Sequence, residues 1–212
     1  MARKPAEQSV HREDIIQAAA DVLHEKGYEA TTMKDIAAQV DLTAASLYHH
    51  FKNKDFLLLA VIENGLQQAI SKIKPIVQSE MSAEEKLRRM VATHIEGITS
   101  NPAVGAALVF EIKSLLNVTT AGRSSGDHQE YIERRDKFFS ERDAFERMFR
   151  ETIKEGIAND EFRQVDAAIV AKSMLGSQNW VGVWYKSGGR LSGDEIATIM
   201  TDIVLTSLTA KP

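Results

Sequence analysis

The sequence predicts an all-α protein of about nine helices, and three observations carry that prediction. Apolar residues recur at helical spacing along almost the whole chain. No stretch alternates with the period of two that a half-buried strand requires. Capping residues, glycines and prolines punctuate the apolar runs where helices begin and end. The composition suits such a fold: 212 residues, 43% hydrophobic and 26% charged, with no cysteine. That length can bury a substantial core, and the lack of cysteine excludes disulfides, thiolate metal sites and a cysteine nucleophile.

The elements follow in order. Ile15, Ile16, Ala19, Val22 and Leu23 form one apolar stripe, and Gly27 is the expected stop. Thr32 caps a short second helix with Asp35 in capping-box position, and its apolar side is Met33, Ile36, Ala37 and Val40. Thr43 caps a third helix ending near His50 or Phe51. A fourth starts near Lys54 and carries Phe56, Leu57, Leu59, Ile62 and Leu66 toward Pro75. Ser82 and Glu85 form a second capping box, leading into Leu87, Met90, Val91, His94, Ile95 and Ile98. Pro102 suits the first turn of a helix from Ala103 to Leu116. The polar, Gly/Ser-rich segment from Asn117 to Asp127 reads as a loop. A long helix is expected over 129–155, stopped by Gly156. The last two run from about Asp166 to Tyr185 and from Ser192 or Gly193 to near Leu208.

The second helix, the turn at Asp41 and Leu42, and the third helix have the proportions of a helix-turn-helix. In that motif the first helix braces across the DNA backbone and the second enters the major groove. The third helix is built for such an approach. Ala44 and Ala45 leave its leading turn bare, so it can close on base edges and touch thymine methyl groups. Thr43 and Ser46 offer hydroxyls, Tyr48 a phenol and His49 ring nitrogens. Lys52 and Lys54 flank the start of the fourth helix, where free N–H groups favour an anion. Thr32 and Lys34, at the start of the bracing helix, complete the DNA-facing set. Leu42, Leu47 and Phe51 fall on one face and are assigned to the core.

Charge alone would not suggest DNA. The net charge is −4, and residues 1–55 hold seven basic side chains against nine acidic ones. The case rests on where the cations sit. Arg3 and Lys4 could form an arm reaching DNA, but terminal disorder fits them equally well.

The run TTMKDIAAQVDLTAASLYHHFKNKDFLL resembles the N-terminal signature of the TetR family of transcriptional regulators, and IIQAAADVLHEKGYEAT resembles its first helix. The turn departs from the family pattern, which usually has glycine where this chain has Asp41. Aspartate tolerates the left-handed region better than most residues, so positive φ is expected there. The resemblance implies a DNA-binding domain over 1–54 and an effector-binding and dimerisation domain over 55–212. It also implies that the last two helices pair with their symmetry mates as a four-helix bundle. Ala168, Ala171, Leu175 and Gly176 are the candidate contacts on one, and Ile196, Ile199, Met200 and Ile203 on the other.

The middle helices would then enclose an effector pocket walled by His94, Phe110, Phe138, Phe145, Trp180 and Trp184. The C-terminal run from Phe149 to Ala197 resembles TetR-type regulators of fatty-acid and sterol degradation, which implies an acyl-CoA effector. Arg134, Arg135, Lys137, Arg142, Arg147 and Arg150 could meet its phosphates. The i,i+4 pairs Glu130–Arg134, Glu133–Lys137 and Glu146–Arg150 instead describe a solvated helix laced with ion pairs. A cationic, drug-like effector is the alternative, with Glu111 as its buried carboxylate, and a constitutive DNA-binding or architectural protein without effector is a third reading.

Catalysis finds no support. The six histidines match no metal-ligand spacing, and neither a phosphate-cradling glycine loop nor a nucleophile elbow occurs, so no catalytic or metal residue and no cofactor is assigned. The first residues lack a signal peptide's apolar core. The dense apolar run from Phe56 to Ile62 falls far short of the ~20 residues of a membrane span. A cytoplasmic homodimeric repressor, acting on double-stranded operator DNA away from any membrane, is therefore expected.

Overall fold

The computed structural model describes residues 10–112, 115 and 125–209. Nine helices and no strand occur among them: α1 (Arg12–Ala30), α2 (Met33–Gln39), α3 (Ala44–His50), α4 (Lys54–Val77), α5 (Ala83–Ser100), α6 (Pro102–Phe110), α7 (Ser125–Ala158), α8 (Ala167–Trp184) and α9 (Gly193–Thr209). None of these helices is long and apolar enough to cross a membrane.

The start of each short helix follows from one side chain. The Thr32 hydroxyl accepts the Asp35 N–H at 3.2 Å, and the Asp35 carboxylate accepts the Thr32 N–H at 2.9 Å. These bonds and Lys26, 3.0 Å away, hold the Asp35 carboxyl at a pKa of about 2. The Thr43 hydroxyl accepts the Ser46 N–H at 3.0 Å and opens α3. Asn53 accepts the N–H groups of Asp55 and Phe56 and opens α4. Ser82 does the same for Glu85, but the expected reciprocal bond is not made because the Glu85 carboxylate turns to Arg89, 2.6 Å away. A carboxylate from afar takes its place: Glu161 accepts the N–H groups of Ala83 and Glu84.

Two helices stop on an aspartate in the left-handed region. Asp41 has φ 54°, as its position in the turn predicts, and Leu42 donates its N–H back to the Ala37 carbonyl at 2.9 Å. Asp160 has φ 57° and ends α7 in the same manner, with Glu161 N–H on the Gly156 carbonyl at 2.8 Å. Gly156 is therefore not the stop. It lies inside α7, where an added Cβ would fall 2.2 Å from the Phe162 ring. Gly27 likewise lies inside α1, which kinks there at φ 74° and continues one more turn. The sixth helix ends at Phe110 with Glu111 as its cap; Ile112 and Leu115 are helical again, and the expected end, Leu116, lies outside the described residues. Ser125, Gly126 and Asp127 belong to α7, so the expected loop is shorter at its C-terminal end; its residues 117–124, like Arg3 and Lys4, lie outside the described residues.

The core runs continuously from the first three helices into the rest. Leu47 of α3 is fully buried and Phe51 nearly so, in one cluster with Ile15, Ile36 and Phe56. α4 contributes an almost unbroken buried run from Phe56 to Ile62. A second cluster of Ile95, Ile98, Val181, Ile196 and Ala197 joins α5, α8 and α9. Two glycine contacts set the closest approaches of α6. An added Cβ on Gly65 of α4 would lie 2.4 Å from Val104, and one on Gly182 of α8 would lie 3.0 Å from the Gly105 carbonyl carbon.

Candidate functional site

Burying Leu47 fixes which side of α3 faces out. Ala45, Tyr48 and His49 are exposed, and Ala44 and Ser46 are half-buried. Tyr48 leaves 53% of its surface open, so its phenol is available to a partner. Thr32 and Lys34 at the start of α2 are exposed as well. The resulting surface has a slim leading end, a phenol and an imidazole, held on a rigid helix by one buried leucine. Thr43 and Ser46 are partly engaged already, their hydroxyls 2.9 Å apart.

Both lysines expected at phosphates have partners within the chain. The Lys54 ammonium donates to the Tyr28 carbonyl at 2.6 Å and to that of Glu29 at 3.4 Å, and lies over the Tyr28 ring. It ties α4 to the end of α1, while Asn53 fills the N–H groups expected to hold an anion. Lys52 reaches Asp127 at 2.6 Å and Glu130 at 2.5 Å on α7. Those carboxylates hold the Lys52 pKa above its ordinary value.

The second feature is a cavity of about 110 Å³ between α4, α5 and α6. Gly65, Ile73, His94, Gly97, Val104 and Leu108 contribute to its walls, and Gln68, Lys72, Ser100 and Asn101 bring polar groups to it. His94 is buried, shares a hydrogen bond with Asn179 at 3.0 Å, and stacks at a tilt on Phe145, 5.4 Å away. Burial lowers its pKa to about 4, so the ring is neutral near pH 7.

Of the residues expected in the pocket, only His94 lines this cavity. Phe138 and Phe145 are core residues, the latter behind His94. Phe110, Trp180 and Trp184 are about half-exposed, with the Phe110 and Trp180 rings 6.2 Å apart. They belong to an outer face, because α8 turns its small-residue side, Gly182, inward onto Gly105. Glu111 is buried but accepts the Tyr28 N–H at 3.1 Å, so its carboxylate is engaged on α1. Sequence reasoning passed over the other lining residues, Gly65, Gly97 and Asn101 among them. Two of these are glycines within apolar helical runs, a pattern that marks close approach or empty space.

The basic residues of α7 also find partners other than those expected. Arg134 pairs with Glu63 on α4, Lys137 with Glu141 and Arg135 with Asp136. Of the three expected i,i+4 pairs, Glu146–Arg150 is the one that forms, at 3.9 Å.

The expected dimer residues split in two. Ala171, Leu175 and Ile196 are buried within the chain, and Ala168 and Met200 are half-buried. Ile199 and Ile203 are exposed, as is Gly176, around which an added Cβ would meet nothing. Ile169, Trp180 and Trp184 of α8 are exposed as well.

Among the described residues no three His, Cys, Asp or Glu side chains gather as a metal-binding group. Comparison with known proteins gives a consistent picture. The profile of bacterial regulatory proteins of the tetR family matches residues 15–61, and that of the tetracyclin repressor-like C-terminal domain matches residues 127–208. The HTH-type transcriptional repressor KstR2 of Mycolicibacterium smegmatis is 28% identical over 207 residues, 97% of this chain and 94% of that protein. The TetR family regulator PfmR from Thermus thermophilus superposes with a TM-score of 0.76 at 28% identity, covering 90% of this chain and 96% of that one. AibR, solved with isovaleryl coenzyme A and operator DNA, gives a TM-score of 0.73 at 26% identity, covering 91% and 96%.

Proposed function

The chain belongs to the TetR family of transcriptional regulators, and from that premise we propose a ligand-responsive repressor that binds palindromic operator DNA as a homodimer and is released by an acyl-CoA thioester. The observation that carries the reading is the joint placement of an exposed α3 and a cavity whose walls are wired to α1. DNA contact falls to α3: Ala44, Ala45 and Ser46 at base edges, Thr43, Tyr48 and His49 at phosphates or bases, with Thr32 and Lys34 on the backbone. A twofold pair would place two such helices about one DNA turn apart, ~34 Å. Operator DNA also sets the compartment, the cytoplasm.

The coupling runs through α6. Its first cap, Asn101, exchanges amide hydrogen bonds with Gln17 of α1, the shorter at 2.6 Å. Its last cap, Glu111, holds the Tyr28 N–H of the same helix. Val104, Gly105 and Leu108 between them border the cavity. A group entering the cavity pushes on α6, and α6 is fastened to α1 at both ends. Since effector pockets usually enclose ~300–1,000 Å³, a cavity near 110 Å³ takes only part of an acyl-CoA, its acyl tail. The pressure of that tail on α6 is what would move the reader. An acyl-CoA effector draws its support from AibR and from the polar rim with Lys72, whose ammonium suits an anionic head group.

The test measures operator affinity by fluorescence anisotropy with and without isovaleryl-CoA. Saturating ligand is expected to weaken operator binding about tenfold or more, within the ~1–3 kcal/mol typical of such coupling, and operator to weaken ligand binding by the same factor. Tyr48→Ala should weaken binding to all DNA sequences alike and leave the ligand response intact. A saturated complex with unchanged operator affinity would remove the switch.

A further inference from the structure

Three glycines line the cavity, and two of them have an evident reason. Gly65 lets Val104 approach to a distance that no side chain would permit, and Gly105 sits against Ile98 and Gly182. Gly97 has neither reason. Its backbone is ordinary α-helix within α5, so no turn demands glycine. A Cβ built on it meets nothing within 4 Å, so no neighbour excludes one. Glycine inside a helix is unfavourable relative to alanine. What the missing side chain does accomplish is to leave a bare strip of α5 backbone on the cavity, one turn from the buried His94.

We propose that Gly97 is the specificity-setting wall of the ligand site, against which the ligand's apolar group lies flat, and that this wall selects a short or branched chain of a few carbons. The size follows from the volume. An engineered cavity of ~150 Å³ takes benzene, and this one is about 110 Å³, which matches a small aliphatic group. Among the lining residues Val104 is buried and Lys72 exposed, which suits an apolar tail toward Val104 and a polar head toward Lys72. This inference rests on the effector-sensing reading above and adds the class of acyl group.

The test compares the full-length protein with Gly97→Ala and Gly97→Leu, titrated with isovaleryl-CoA and octanoyl-CoA by calorimetry, with thermal melts alongside. The wild type is expected to bind isovaleryl-CoA at least tenfold tighter than octanoyl-CoA. Gly97→Ala should raise the ligand-free melting temperature by ~2–4 °C while weakening isovaleryl-CoA about tenfold. Gly97→Leu should abolish ligand binding while its helical circular dichroism persists. A Gly97→Leu protein that binds the thioester as the wild type does overturns the wall, as does a destabilised Gly97→Ala. If neither thioester binds the wild type, the acyl-CoA class fails, and xenon-pressurised crystals decide Gly97 separately. Xenon lodged beside Gly97 in the wild type and excluded by Gly97→Leu supports the wall; no xenon in either overturns it.

Discussion

At the scale of single residues, the chain separates polar groups by what surrounds them. His94 and His49 have the same side chain, yet one is buried against Phe145 and Phe149 and the other stands in water. Burial lowers the His94 pKa from 6.5 to about 4. Between those values the unfolded chain binds a proton that the folded one refuses, so stability is full above pH 6.5 and falls as the pH drops toward 4. His94→Gln, which keeps an amide hydrogen bond to Asn179 within reach but does not titrate, should flatten the melting-temperature profile in that window. The slope it removes is at most about 1.4 kcal/mol per pH unit, and identical profiles for the two proteins would show that His94 is not held neutral. The residue scale is also where the sequence was most readable. Thr32, Thr43 and Asp41 act through neighbours within three or four positions, so their caps and the positive φ follow from local chemistry alone.

At the scale of elements, partners come from distant parts of the chain and local spacing misleads. Glu130 and Arg134 are one turn apart, but Glu130 goes to Lys52 and Arg134 to Glu63. Packing α7 on α4 brings these charges within reach, along with the Phe56–Tyr131 edge contact between the same helices. Nothing periodic in α7 announces that arrangement. The cavity was unreadable for the same reason, being assembled from α4, α5 and α6 by residues tens of positions apart. The Lys52 contact has a consequence for DNA. Its ammonium sits two residues beyond α3, where a phosphate would compete with Asp127 and Glu130 for it. Exposed pairs of this kind are worth little individually, so the exchange costs little and Lys52 can change partners. Asp127→Asn with Glu130→Gln should tighten operator binding several-fold and steepen its salt dependence by about one unit of slope. Adding Lys52→Ala should cancel both gains; if the gains survive, general charge and not Lys52 is responsible.

At the scale of the whole molecule, one face remains without a purpose in a single chain. Ile169, Trp180 and Trp184 on α8, with Ile199 and Ile203 on α9, are each 45–63% exposed. They follow one another at helical spacing, with Gly176 as a bare strip between Ile169 and Trp180 where a second helix can come close. Five large apolar side chains left open on two helices mark a candidate interaction surface. Tryptophans of this kind are common anchors at the centre of protein interfaces. A symmetric pair would bury them against their own copies, whereas Ala171 and Leu175 are already buried within the chain. The reader helices then inherit their spacing from this face, since α8 and α9 fix α5 and α5 borders the cavity beneath α6. Trp180→Glu combined with Ile203→Glu places carboxylates on the face without touching the buried clusters, so the fold and its helical circular dichroism should persist. Sedimentation velocity is expected to give twice the 23.6 kDa of one chain for the wild type and the single mass for the double variant. Losing the second reader removes the intramolecular half of DNA binding, so operator affinity should fall on the order of 100-fold or more, while binding to an isolated half-site stays as it was. A double variant that remains paired would place the twofold contact on another surface, and one that is monomeric yet keeps full operator affinity would show that a single α3 suffices.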